Sequence, residues 1–187
     1  GFKAAKGEYV LVLDDDSYPL SYSIDVGINK LISDNKIAII ACNIVNGSEV
    51  ELISTTRSDE LEKSTNSFVG CGTIIRKRVL EAIGGFEGEL FLYFHEVEYA
   101  LRIIDAGWEI VYFPQSIVVH NIVSANRRYD HHLVDNRKVY YDVRNLFIVI
   151  YLHFPFLKSV PLFLRILFGR ITYGILNNKL FIVLSAI

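Results

Sequence analysis

The apolar, β-prone run Glu8-Tyr-Val-Leu-Val-Leu13 breaks off at three consecutive acids, Asp14-Asp15-Asp16. A continuous run of this kind reads as a strand buried on both faces that delivers side chains to a site at its C-terminal edge. Residues 20–33 predict a helix, with Ile24, Ile28, Leu31 and Ile32 as its apolar stripe and Ser21 as its cap. Residues 36–45 return to a buried strand. Residues 46–66 are polar and predict an edge strand followed by a loop that is disordered or ordered by a ligand. A further strand is expected at 68–75. It carries Gly70 and Gly72, whose missing side chains let a backbone or a ligand approach closely. Residues 77–83 form a short helix ended by Gly84-Gly85, and 95–106 a second helix with Leu101 and Ile104 inward and Gly107 as its stop. A strand at 108–113 runs into Pro114, and a short one at 117–119 ends at His120. Strands alternating with helices predict an α/β layer structure.

Composition narrows this picture. At 187 residues, 51% hydrophobic and 13% aromatic, the chain is long and apolar enough for one packed core and unlike a disordered or fibrous segment. The net charge of −2 argues against the broad electropositive surface that nucleic-acid binding demands. Its distribution is uneven: from Leu146 onward there is no acid, and Lys158, Arg165, Arg170 and Lys179 give +4 against −6 for the residues before. Apolar runs in this tail stop short of the 18 or so residues a membrane span requires, so no spanning helix is expected. Aromatics mixed with Lys and Arg suit helices lying in a membrane interface; ordinary core helices satisfy the same pattern. Cys42 and Cys71 have apolar neighbours and read as buried thiols in a reducing compartment. There is no Met, even at position 1, which predicts a fragment.

The chemistry lies in two clusters and a histidine. Adjacent carboxylates repel by about 1 to 4 kcal/mol per pair at separations of a few ångströms, and the usual compensation at a strand end is a hard divalent cation. In an extended conformation Asp14 and Asp16 point the same way and Asp15 opposes them. A solvated acidic turn before Ser17-Tyr-Pro19 is the plainer reading. In His95-Glu96-Val97-Glu98, acids at a helix start are stabilised by the dipole. Glu98 sits four residues before Arg102, where pairing on an exposed face accounts for it. Glu96 follows the aromatic segment 91–94, which would desolvate it toward the range of a useful base. His120 is either a metal ligand or a satisfied polar group at a strand terminus. His131 and His132 lie in a polar stretch and are assigned no role.

Taken in order, residues 7–16, Gly-Cys-Gly-Thr-Ile-Ile-Arg at 70–76, Ile-Gly-Gly-Phe at 83–86, Phe-Leu-Tyr-Phe-His-Glu-Val-Glu at 91–98 and Val-Val-His at 118–120 resemble family 2 glycosyltransferases. Tyr140-Tyr-Asp-Val-Arg-Asn145 also resembles the segment that follows the catalytic domain in rhamnosyltransferase-like members. The resemblance implies a GT-A fold, a Rossmann-like mixed sheet flanked by helices, with a C-terminal helical segment. It also implies a nucleotide-diphosphate-sugar donor, Mg²⁺ or Mn²⁺, and inversion at the anomeric carbon by direct displacement. The family's metal-binding acidic motif falls on Asp14 and Asp16, with Asp15 between them. Asp14, Asp15, Asp16, Gly70 and Gly72 are then expected at the donor, and Asp14, Asp16 and His120 at the metal. Glu96 takes the position of the base. Family members usually show Glu-Asp where this chain has His95-Glu96, so that carboxylate reaches one methylene further.

The expected organisation is a partial catalytic domain over 1–145, its first nucleotide-binding strands preceding Gly1, and an apolar, basic helical segment over 146–187. The expected activity is a metal-dependent transfer of a sugar to a hydroxyl of a glycan or lipid-linked acceptor. It would take place in the cytoplasm at the inner face of a membrane, with peripheral membrane contact and no nucleic acid. A nucleotidyltransferase of similar fold and a catalytically degenerate sugar-binding module remain as alternatives.

Overall fold

The computed structural model describes residues 1–47, 61–91, 93–121 and 136–187. They fall into two compact units: Gly1–Phe86 with Tyr99–Asn126, and Glu87–Glu98 with Arg127–Ile187.

The first unit is a mixed sheet between helices. Its strands are β1 (Tyr9–Val12), β2 (Ser17–Pro19), β3 (Ile37–Asn46), β4 (Lys63–Thr65), β5 (Thr73–Arg76) and β6 (Glu109–His120). They lie in the order β1-β5-β3-β6-β2, with β4 also on β6. Among the described residues, only β3 and β6 run parallel. The central strands are buried because both faces are covered. Helix α1 (Ser23–Ser33) packs Ile24, Ile28 and Leu31 against Ile37, Ile40 and Ile74. On the other face α2 (Lys77–Ile83) brings Val79 and Leu80, and α3 (His95–Asp105) brings Tyr99, Ala100 and Ile103, onto Ala38, Ile39 and Ile75. Gly27 allows α1 to lie this close, since a Cβ there would stand 2.6 Å from Ile74 Cδ1 and 2.8 Å from Ser116 Oγ. The buried Arg76 donates from Nε to the Ile37 carbonyl at 3.1 Å and from Nη2 to the Leu31 and Asp34 carbonyls, satisfying the C-terminal end of α1.

Several expectations shift. The α1 stripe excludes Ile32, which is exposed, and Ser21 gives way to Tyr22 as the flanking residue, with no side-chain cap. On α3 the inward face is Tyr99, Ala100 and Ile103, and Ile104 is exposed. The strands expected at 108–113 and 117–119 are one strand, β6, because its register against β3 jumps from Cys42↔Phe113 to Asn43↔Ile117. Pro114 sits in the resulting bulge, the place a sheet tolerates it. At this bulge the Ile117 amide donates to Ser23 Oγ at 2.8 Å. The strand expected over 68–75 contracts to β5, and β4 occupies part of the polar segment. Residues 48–60, where loop disorder is expected, and His131 and His132 lie outside the described residues.

The second unit holds α4 (Asn136–His153), α5 (Phe156–Leu176) and α6 (Leu180–Ser185). Val139, Val143, Phe147 and Ile150 of α4 pack with Val183 and Ala186 and with Phe163, Ile166 and Leu167 of α5. The Phe147 and Phe163 rings are 4.5 Å apart between centroids. Contrary to the expectation from uninterrupted apolar runs, α5 is 21 residues long and is long and apolar enough to cross a membrane by length and composition, with 6% of its apolar window buried. The helix continues through Lys158, Pro161, Arg165 and Arg170, residues that break an apolar run without breaking a helix.

Candidate functional site

The acids after β1 do not stay extended. Asp14 O accepts from the Ser17 amide at 3.2 Å and from Ser17 Oγ at 2.8 Å, closing a turn across Asp15 and Asp16. The chain then enters β2, whose antiparallel register sets Ser17 opposite His120. The Asn121 amide donates to Asp16 O at 2.9 Å and ties the turn to the residue beyond β6. The turn and this pairing, rather than strand alternation, bring Asp14, Asp16 and His120 together. His120 Nε2 lies 2.9 Å from Asp16 Oδ1 and 3.8 Å from Asp14 Oδ2. Asp15 is exposed on the same turn.

His120 Nε2 is buried, and despite its closeness to the carboxylates it makes no aligned hydrogen bond. A buried ring nitrogen with no aligned partner is costly unless something else satisfies it. One imidazole nitrogen and two carboxylates converging in this way form a donor set that suits a divalent cation. The residues present therefore fit such an ion. Cys71 Sγ joins the group: it, one Asp14 oxygen and one His120 nitrogen all lie within 4.8 Å of one another.

Gly72 has φ +73°, a region L-residues with side chains avoid, and a Cβ there would come within 3.1 Å of Val118 Cβ. Its amide donates to Val12 O at 2.9 Å and its carbonyl accepts from the Cys42 amide at 3.0 Å, so packing alone requires this glycine. It also borders a cavity of about 440 Å³ lined by Cys42, Asn43, Lys63 and Tyr112. Gly70 sits at a bend two residues before it. Both cysteines are free and buried. Burial pushes the Cys42 thiol up to about 11, opposed in part by its contact with Ser116 Oγ at 3.2 Å.

Glu96 belongs to the second unit, on the first turn of α3. Its side chain is 24% exposed, and Oε1 is 3.2 Å from His95 Nε2. The turn before it has three non-glycine residues at positive φ, Phe91 (32°), Tyr93 (64°) and Phe94 (64°). The fully buried Asn145 holds this turn, donating from Nδ2 to the carbonyls of Leu90 at 2.8 Å and Tyr93 at 2.9 Å. Arg144 Nη1 donates to Asn145 Oδ1 at 3.1 Å and to the Glu89 carbonyl at 3.0 Å. Glu98 is buried instead of lying on an exposed face, and its Oε1 meets His153 Nε2 at 3.1 Å. Asn145 ends the segment 140–145 that carries the resemblance, but nothing in the sequence marks it as the clasp of this turn or His153 as the partner of Glu98.

No family model matches the chain, and no curated protein matches it. Among solved structures, the mannosyltransferase PcManGT from Pyrobaculum calidifontis, in complex with GDP-Man and Mn²⁺, is similar over 76% of this chain and 39% of its own, with 18% identity and a TM-score of 0.53. GalNAc-T7 with UDP, GalNAc and Mn²⁺ is similar over 64% of this chain and 28% of its own, with 14% identity and a TM-score of 0.50. At these identities the likeness establishes the fold, a mixed α/β sheet with flanking helices of the GT-A glycosyltransferase type. The chain spans less than half the length of either structure.

Proposed function

We propose that the chain is the acidic-motif portion of a divalent-cation-dependent, inverting glycosyltransferase of the family 2, rhamnosyltransferase-like kind. It would move a sugar from a nucleotide diphosphate to a hydroxyl of a glycan or lipid-linked acceptor. One observation carries the reading: on a GT-A fold, Asp14, Asp16 and His120 converge at the sheet edge, with the imidazole nitrogen buried and lacking an aligned hydrogen bond. The two structural likenesses, both solved with Mn²⁺, support it.

In this reading Asp14, Asp16 and His120 hold Mg²⁺ or Mn²⁺, and Asp15, Gly70 and Gly72 adjoin the donor. When bound, the cation supplies positive charge against that developing on the diphosphate leaving group. Glu96 accepts the proton of the acceptor hydroxyl, its carboxylate kept in place by His95 and by the turn that Asn145 clasps. Exposed Phe156, Leu157, Phe168 and Phe181, together with the four cations and no acid after Leu146, suit contact with the anionic inner face of a membrane.

A mass-spectrometric screen of the intact protein against several sugar nucleotides with Mg²⁺ or Mn²⁺ tests the reading. Cation-dependent transfer, or slow hydrolysis of one sugar nucleotide, is expected. Binding without turnover would instead mark a sugar-nucleotide-binding module, and synthesis of a sugar nucleotide from a triphosphate would mark a nucleotidyltransferase.

A further inference from the structure

We propose that Cys71 is a ligand of the same cation site and that its sulfur biases the site toward thiophilic first-row ions and away from Mg²⁺. The inference rests on the reading of Asp14, Asp16 and His120 as cation ligands and adds a donor to it. Cys71 Sγ, an Asp14 carboxylate oxygen and a His120 ring nitrogen all lie within 4.8 Å of one another. In the tetrahedral arrangement of an ion such as Zn²⁺, two donors stand about 3.6 Å apart, given metal–sulfur and metal–nitrogen lengths of about 2.3 and 2.1 Å. Side-chain adjustments on the order of an ångström close the set.

The backbone beside the thiol is fixed. Gly72 donates to Val12 O at the end of β1 and accepts from Cys42 on β3, so Cys71 is held next to the strand that leads to Asp14. The thiol is 3% exposed, and bulk water does not compete for it. Cys42 is the contrast. It is equally buried, but its sulfur contacts Ser116 Oγ at 3.2 Å, and that hydroxyl donates on to Ser23 O. Cys42 thus has a complete account as a core residue, whereas Cys71 faces two candidate ligands. On coordination the Cys71 S–H bond breaks, its proton leaves to solvent and the sulfur lone pair forms the bond to the ion. A thiolate favours Co²⁺ and Zn²⁺ over Mg²⁺, which prefers oxygen and keeps its water.

Titration of the intact protein with Co²⁺, followed by near-ultraviolet absorption, tests this without any assay of turnover. A saturable sulfur-to-cobalt charge-transfer band is expected, kept in Cys42→Ser and lost in Cys71→Ser. Cys71→Ser should still bind Mn²⁺ by electron paramagnetic resonance, with its preference for Zn²⁺ over Mg²⁺ reduced roughly 10-fold or more. The wild-type spectrum decides even if Cys71→Ser fails to fold. Mn²⁺ binding that depends on Asp16, without a cobalt–sulfur band, would overturn the role of Cys71 and leave the carboxylate–histidine site standing. Absence of any Asp16-dependent binding of Mn²⁺ or Co²⁺ would overturn both.

Discussion

In the first unit, Asp14, Asp16 and His120 hang from a hydrogen-bonded sheet edge. In the second, Glu96 follows a turn of three left-handed, non-glycine residues clasped by the amide of Asn145. The first cluster is positioned by main-chain pairing, which most side-chain substitutions leave intact. The second depends on a fully buried carboxamide more than 50 residues away in sequence, where one substitution removes two hydrogen bonds at once. The two clusters should therefore show two kinds of fragility, one chemical and local, the other structural and remote.

The largest expected effect separates the two chemistries. Asp16→Asn should abolish Mn²⁺-dependent donor binding, measured by calorimetry. Glu96→Gln should leave that binding intact and lower single-turnover rates roughly 100-fold or more. Equal loss of binding in both variants would erase the distinction.

Remote fragility is next. Asn145→Leu leaves two buried carbonyls without their donor and should cost about 2 kcal/mol or more in a urea titration. It should also slow turnover while Mn²⁺ affinity holds, and full activity would show that the Glu96 turn is stable without its clasp.

The core of the first unit has its own signature in alkali. Because burial raises the Cys42 thiol to about 11 from its ordinary 9.0, folding favours the neutral form. This contribution is fully present below pH 9.0 and is lost as the pH rises through about 11, roughly 3 kcal/mol in all. Cys42→Ala should flatten that limb of the stability curve, and an unchanged limb would assign it to other groups.

The smallest effects concern the helices of the second unit. Replacing Lys158, Arg165, Arg170 or Lys179 with Gln should weaken association with anionic vesicles by about 1 kcal/mol each, an effect that high salt abolishes. Equal partition onto neutral and anionic vesicles would remove the electrostatic part.

Where local chemistry decides the backbone, the sequence is legible. Helix α2 and its Gly84 stop stand where predicted, whereas the strand before the acids, β1, is a half-buried edge strand and not the strand buried on both faces that its apolar run predicts. Long-range pairing escapes such a reading. The three-residue β2 contains a proline and lacks an apolar pattern, yet its register with β6 places Asp16 beside His120. Pro114 suggests a break, but β3 alongside carries the strand past it through a bulge. The left-handed turn at Phe91, Tyr93 and Phe94 contains none of the glycines by which such turns are usually recognised. Its cause is Asn145, a polar residue whose partners emerge only in three dimensions. Cys71 is legible as a buried thiol, but its neighbours Asp14 and His120 are not.

The Asn145 clasp also sets an order of events on the ribosome. Leu90 leaves the exit tunnel 55 residues ahead of the side chain that will secure it. At about 5–20 residues per second, the nascent segment waits several seconds before its left-handed turn can settle. Until then the glutamate-bearing helix start has no latch, and a chain stalled short of Asn145 would leave that turn unlatched.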